Sequence, residues 1–300
     1  MSKNNLSAVI LTFNEELHIK RCIESLLPIV DHVYVLDSYS TDSTLDIVSR
    51  YDNVSVLKNK FVNHAAQFNH ALDSFNINSE WVIRVDADEY IDEDLRVYLK
   101  ESLCKLPQSI SGVYLNRHIT FMNKLLRHGG MSDYWILRLW RNGFGRCEQR
   151  WMDEHIVLSG GDTIKADGKL IDDNLNTLSW WAHKHVDYST REAIDIITTE
   201  LKEQRSSFEA KLFGAKSQRT RLLKNFYNSV PLFIRPFFYF FYRYLFLGGF
   251  LDGKQGFLWC FFQGFWYRMM VDAKVFEIKL SAKDGIDVKN VIKNKYGFDI

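Results

Sequence analysis

Four short apolar runs, each closing on polar residues and separated by stretches of helical period, dominate the first hundred residues. The runs cover residues 7–12, 32–37, 54–57 and 81–85. Between the first two, residues 15–27 put Leu17, Cys22, Ile23, Leu26 and Leu27 roughly on one helical face, and Pro28 stops it. Residues 41–50 open on an Asp/Ser/Thr-rich entry, and 63–75 and 92–104 repeat the helical period. Strands alternating with helices of this length predict βαβ units and a mostly parallel, doubly wound sheet. Such a sheet collects ligands beyond the carboxyl ends of its strands, where runs one, two and four finish in polar groups. Further on, 112–121, 134–141 and 156–158 read as strands between Gly-rich turns. They predict a mixed extension of the same sheet with an acceptor-side region. Residues 188–208 predict a long amphipathic helix, with Ser189 as N-cap and Glu192 completing a capping box.

The fourth run ends in Asp86-Ala87-Asp88-Glu89. Residues i and i+2 point the same way while the backbone stays extended, so Asp86 and Asp88 converge where strand gives way to loop. Two carboxylates there suit a hard divalent cation, which in turn binds phosphate oxygens. The alternative is a solvated acidic turn after a core strand.

A chain of 300 residues can form one large domain or a domain with an appendage. Its net charge of +1 implies no bulk attraction to nucleic acid. The charge is unevenly placed, with ten Lys/Arg between 211 and 274 against Asp252 and Asp272 alone. Cys22, Cys104, Cys147 and Cys260 are far apart and form no C-x-x-C pair, which predicts reduced thiols in a reducing compartment. The N-terminal apolar run, interrupted by Thr12 and Asn14, is too short for a signal-peptide core. The basic tract is also aromatic, over 237–242 and 257–267, and none of its apolar runs reaches the ~20 residues needed to span a bilayer. That combination fits a segment lying in a membrane interface over 226–270. The alternative is an aromatic layer packed on the catalytic core or at a dimer interface.

Thr12-Phe13-Asn14-Glu15, Asp37-Ser38-Tyr39-Ser40-Thr41-Asp42, the pair Gln67 and Asn69, and Asp86-Ala87-Asp88-Glu89 follow one another in this order. The combination resembles the family 2 glycosyltransferases of the GT-A fold, over roughly residues 7–160. The resemblance implies an α/β GT-A fold, a Rossmann-like mixed sheet of nucleotide-diphospho-sugar transferases, here with a C-terminal helical, aromatic-basic extension. It implies that Thr12, Asn14, Glu15, Gln67 and Asn69 line the nucleotide-sugar pocket and that Asp37 meets the uracil or ribose. It further implies that Asp88 contacts Mg²⁺ or Mn²⁺ and that Asp86 contacts ribose or metal. Glu89 either supports that pair or is a solvated helix-entry acid. The family often has Asp-Asp-Gly-Ser-Thr-Asp where this chain has Tyr39 in place of the glycine, which suggests a differently shaped turn. Asp42 reads as a helix cap rather than a ligand contact.

Gly129-Gly130, the run Trp135 to Arg141 and Trp151-Met152-Asp153-Glu154-His155 resemble a bacterial subset that includes lipopolysaccharide core β-1,4-glucosyltransferases. An inverting transfer needs a base beside the acceptor hydroxyl. Asp153 and Glu154 are the candidates, and Glu154 is favoured because the subset keeps the Glu and often has His at the position before it. Arg138 and Arg141 meet phosphates or form salt bridges, and His155 is structural or acceptor-binding. Trp181 and His183, within Trp180-Trp181-Ala182-His183-Lys184-His185, suit a sugar-phosphate acceptor or serve packing. Gln149-Arg150-Trp151 lacks the Q-x-x-R-W spacing of processive synthases, which points to addition of a single sugar.

The expected organisation is a catalytic domain over 1–185, with a nucleotide-sugar half at 1–105 and an acceptor half at 106–185, followed by a helical region at 186–300. The expected activity is metal-dependent, inverting transfer from a UDP-linked sugar to lipopolysaccharide core or a lipid-linked saccharide. The expected place is the cytoplasmic face of the inner membrane. A catalytically silent membrane-associated scaffold is the alternative. A sugar nucleotidyltransferase is disfavoured, because Thr12–Glu15 is no Gly-rich phosphate loop.

Overall fold

The computed structural model describes residues 5–132, 134–148, 155–203, 227, 230–282 and 287–298. The chain forms two compact units, Met1–Arg127 with Met131–Asn176, and His128–Gly130 with Thr177–Ile300.

The first unit is built on one mixed sheet. Its strands are β1 (Leu6–Thr12), β2 (His32–Asp37), β3 (Val54–Lys58), β4 (Trp81–Arg84), β5 (Glu89–Ile91), β6 (Ile110–Phe121), β7 (Lys124–Leu125), β8 (Tyr134–Arg141) and β11 (Asp162–Asp173). They lie in the order β3-β2-β1-β4-β8-β6-β11-β5, with β7 folded back on β6. A separate small ribbon pairs β9 (Gly145–Cys147) with β10 (Ile156–Leu158). The first four strands run parallel, β1 pairing with both β2 and β4. β8 then enters antiparallel to β4, and the antiparallel β6 follows it. β1 and β2 build the sheet one way, and β4 returns to the other flank of β1. That reversal opens a crevice at the carboxyl ends of β1 and β4.

Strand alternation explains why both faces are covered. Leu6, Ala8 and Ile10 of β1 and Trp81, Ile83 and Val85 at β4 join one core with Ile19, Cys22, Ile23 and Leu26 of α1 (Ile19–Leu26) and with Leu95 and Leu99 of α4 (Glu93–Glu101). Val9 and Val82, pointing the opposite way, pack with Ala65, Phe68 and Ala71 of α3 (His64–Ser74) and with Trp140. Each fully buried side chain of this size stabilises by roughly 1.5–3 kcal/mol. Helix starts follow capping chemistry. Asn63 accepts from Ala66 N at 2.8 Å, and Asp92 accepts from Leu95 N at 2.9 Å. The short α2 (Thr44–Val48) is tied to β1's loop by Asp42, which accepts from Thr44 N and Glu16 N, each at 3.0 Å.

The predicted sheet lacks β5, β7 and β11, and it counts residues 156–158, which as β10 pair with β9 in the separate ribbon. β11 is mostly polar, and its pairing with β6 slips between Lys165 and Lys169, which breaks the period-two signal. Gly168 sits in that slip with φ +88°, and a Cβ there would lie 2.0 Å from the backbone nitrogen of Leu95.

In the second unit the long helix α5 is Leu178–Glu203, starting ten residues before the predicted 188. Ser189 is therefore no N-cap. It lies inside the helix, and its Oγ donates back to the Val186 carbonyl at 2.7 Å. Glu192 accepts instead from Tyr267 Oη at 2.7 Å and pairs with Arg268. After α6 (Arg235–Phe241), a π-turn at Tyr242–Phe246, α7 (Gly253–Trp259) and a second π-turn at Cys260–Trp266, the chain enters α8 (Tyr267–Ala282) and later α9 (Val288–Tyr296). Ala193, Ile194 and Ile197 of α5, Val271, Val275 and Ile278 of α8, and Val291 and Ile292 of α9 form a core of their own.

Candidate active site

At the carboxyl end of β1 and β2, Asp37 is fully buried. Its Oδ1 accepts from Thr12 Oγ1 at 3.1 Å and Ser40 Oγ at 2.5 Å, and its Oδ2 from Ser40 N at 2.9 Å. Asn14, with φ +56°, accepts from Thr41 N at 2.8 Å, and Glu15 N donates to Thr44 Oγ1 at 2.8 Å. These bonds fuse the two loops into one rim. Tyr39 sits on it with φ +66° and is 55% exposed. This is the left-handed region, which glycine adopts without strain and a residue bearing a Cβ rarely does. The Glu15 carboxylate accepts from His18 Nδ1 at 2.6 Å, while His18 Nε2 accepts from Leu175 N at 2.8 Å. The second bond fixes the proton on Nδ1.

Gln67 and Asn69 bond within the protein. The Gln67 amide bonds Ser38 Oγ at 3.0 Å and both the side chain and carbonyl of Asn59. Asn69 bonds the backbone of Cys147, donating at 2.8 Å and accepting at 3.0 Å.

At the end of β4 the two aspartates part company. Asp86 is clamped by Arg138, whose Nη2 donates to Oδ2 at 2.7 Å, and by Arg84, whose Nε donates to Oδ1 at 3.2 Å. Burial alone would raise its pKa, but these guanidiniums hold it well below the usual carboxylate range. Asp88 accepts one bond, from Asn174 Nδ2 to Oδ2 at 3.1 Å, and its Oδ1 has no hydrogen-bond partner among the described residues. Glu89 is fully buried, so it is not a solvated acid. It accepts from Arg117 Nε at 2.8 Å, Arg138 Nη2 at 3.4 Å and Asp86 N at 3.0 Å. Burial raises its pKa, with Arg138 opposing.

Residues outside the predicted set complete this box. Asp172 accepts from Arg117 Nη2 at 2.5 Å, and burial among Asp88, Glu89 and Asp86 pushes its carboxyl up to about 7 against the pull of Arg117. Arg21 pairs with Asp173 and donates to the Asp88 carbonyl at 3.4 Å. Ile171-Asp172-Asp173-Asn174 ends a strand in carboxylates just as β4 does, and that signal was available in the sequence.

Arg138 joins the site, but Arg141 does not. The register pairs Arg141 with Trp81, at the amino end of β4. There it binds Glu80 and the Ile110 carbonyl, its guanidinium 4.5 Å from the Trp81 ring centroid. His155 is exposed beside the β9–β10 ribbon, its N–H 3.3 Å from Glu148 Oε1. Asp153 and Glu154 lie outside the described residues. Trp181 and His183 stand on the first turns of α5. Trp181 stacks on His185 at 3.6 Å and touches Trp259, Phe262 and Trp266, while His183 Nδ1 bonds the Ser179 carbonyl at 2.7 Å.

A parallel half-sheet continued by antiparallel strands, with paired aspartates at the switch point, defines an α/β domain of the GT-A fold. The chain belongs to glycosyl transferase family 2, whose sequence model matches residues 7–156. Over 171 residues it is 30% identical to the lipopolysaccharide core biosynthesis glycosyltransferase LpsC of Rhizobium meliloti (strain 1021), covering 55% of this chain and 62% of that protein. Over 91 residues it is 36% identical to an uncharacterized glycosyltransferase of Rickettsia felis, covering 30% of this chain and 31% of that one. The chain thus matches less than two thirds of the length of either relative. Among solved structures it is similar to glucosyl-3-phosphoglycerate synthase from Mycobacterium tuberculosis in complex with Mn²⁺, UDP and glucosyl-3-phosphoglycerate. That match has 20% identity and a TM-score of 0.31, over 38% of this chain and 44% of that one.

Proposed function

We propose that this chain is a non-processive, inverting transferase that moves one sugar from a UDP-linked donor to a saccharide acceptor on lipopolysaccharide core or a lipid carrier. The place of action in this reading is the cytoplasmic face of the inner membrane. The observation that carries the proposal is the unequal engagement of the two aspartates at the switch point. Asp86, gripped by Arg84 and Arg138, is a fixed acceptor for ribose hydroxyls. Asp88, with a carboxylate oxygen left over, is the free hard donor. One or two carboxylates completed by substrate phosphates is the usual protein share of a Mg²⁺ or Mn²⁺ site, so the donor set fits such an ion. When bound, the ion neutralises charge on the departing diphosphate.

The chain's own residues do the rest. Asp37 shapes the nucleoside end of the pocket through Thr12 and Ser40, and Asn14 and Glu15 hold its rim. The carboxylate of Glu154 or Asp153 takes the proton of the acceptor hydroxyl. That oxygen bonds to the anomeric carbon as the bond from this carbon to the diphosphate oxygen breaks, with inversion. The lipopolysaccharide-core name of LpsC supports the acceptor class.

The test is thermal unfolding with UDP, GDP, CDP or ADP, with and without Mn²⁺, in the parent and in Asp88→Ala. A ligand at a hundredfold excess over its dissociation constant adds about 2.7 kcal/mol of apparent stability. The expected result is Mn²⁺-dependent stabilisation by UDP that Asp88→Ala loses together with transfer. Unchanged stabilisation and turnover in the variant would overturn the role given to Asp88.

A further inference from the structure

Helix α6 and the π-turn that continues it carry their charge inward and their rings outward. Arg235, Tyr239 and Arg243 recur every four residues and share a face. Arg235 is 2% exposed, and its Nε donates to Asp272 Oδ1 at 2.8 Å. Arg243 is 5% exposed, and its Nε donates to the Gly129 carbonyl at 2.8 Å. Away from them, Phe238, Phe241, Leu245 and Phe246 are 66%, 48%, 51% and 79% exposed. A helix facing water has the opposite polarity. A contiguous apolar face of this kind marks an interaction surface rather than scattered surface hydrophobes.

Charge identifies what covers it. Residues 210–251 hold seven Lys/Arg and no Asp or Glu. Arg235 and Arg243 are directed inward, and the other five, Lys211, Lys216, Arg219, Arg221 and Lys224, stand in the sequence directly before the aromatic face. Aromatic rings preceded along the chain by a run of positive charge match the boundary of an anionic bilayer. There the rings enter the headgroup–acyl layer and the cations meet lipid phosphates. Among the described residues no helix is long and apolar enough to cross a membrane, so the segment would lie in the interface. We propose that the outer face of α6 and its π-turn docks this protein on an anionic lipid surface.

The proposal is tested without donor, acceptor or metal, so its failure is separable from failure of the catalytic reading. The full chain is floated with vesicles of neutral phosphatidylcholine or of the same lipid with a third phosphatidylglycerol, beside the variant F238S/F246S. The parent should partition at least tenfold more onto the anionic vesicles, and added salt should release it. The variant should lose at least tenfold of that binding while keeping the parent's melting midpoint and its nucleotide-induced stabilisation. Equal binding by parent and variant would overturn the proposal, as would a parent that floats with neither vesicle. So would lipid-free dimerisation, by sedimentation, that the variant abolishes, because the occupant would then be a second copy of the chain.

Discussion

Asp86 and Asp88 are two residues apart and chemically distinct because of what surrounds them. The sequence shows both carboxylates and offers Arg138, but not which arginines reach them; Arg84, Arg117 and Arg138 arrive from β4, β6 and β8 through strand register. Arg138 is the shared partner of Asp86 and Glu89. Arg138→Met keeps much of the side-chain volume but leaves those carboxylates under-compensated. A loss of about 3 kcal/mol in urea unfolding is expected, by the cost of breaking a buried ion pair from one side. Transfer activity should fall further than folding alone accounts for, because Asp86 loses its orientation. A midpoint within 0.5 kcal/mol of the parent, on the order of an ordinary surface substitution, would show that Arg138 is not the clamp. Tyr39 gives a second test. Its left-handed backbone costs roughly 1–2 kcal/mol for a residue bearing a Cβ. Tyr39→Gly should therefore unfold at the same or higher urea concentration, and Tyr39→Val, whose β-branch tolerates positive φ least, at a lower one. The reverse order would place the strain elsewhere.

Among the elements, β1 to β4 and the helices between them were legible because two periods alternate cleanly and caps such as Asn63 and Asp92 mark the starts. The ligand edge was legible for the same reason. β5 is three residues long and β11 is polar and slipped, so neither carries a readable period, and the pairing of Arg117 with Asp172 and of Arg21 with Asp173 stayed hidden. α5 was misplaced because Ser189 and Glu192 imitate a capping box, whereas tertiary packing of Trp181 and His185 decides the start. His185 makes that packing measurable. Its Nδ1 donates to the Trp181 carbonyl at 2.8 Å, its Nε2 accepts from Gln263 at 2.8 Å, and burial lowers its pKa to about 4. Between pH 6.5 and 4 the unfolded chain holds a proton that the native ring refuses. This contribution is therefore fully present above about pH 6.5 and lost as pH falls toward 4. After allowance for partial solvent screening it amounts to about 2 kcal/mol. Subtracting the pH profile of His185→Phe from that of the parent should isolate a slope in this window. A difference that stays flat from pH 7 to 4 would mean the native ring titrates normally.

On the scale of the whole molecule, the buried residues fall into cores that do not mix. Two belong to the sheet unit, and the third is drawn wholly from α5, α8 and α9. Cooperativity follows shared burial, so each unit has the means to unfold on its own. The residues proposed to bind donor, from Thr12 to Asp88, all belong to the first unit, while the aromatic-basic tract belongs to the second. Nucleotide should therefore stabilise one unfolding event and leave the other in place. For a unit of this size 1 kcal/mol moves the midpoint by about 2–4 °C. UDP with Mn²⁺ at a hundredfold excess over its dissociation constant should then raise the sheet unit's transition by about 5–11 °C. Calorimetry of the full chain would resolve two endotherms, of which only one responds to UDP and Mn²⁺. A single endotherm that moves as a whole would mean that the two units unfold together, with donor energy felt across both. Two endotherms that both stay fixed would remove the donor from the sheet edge altogether.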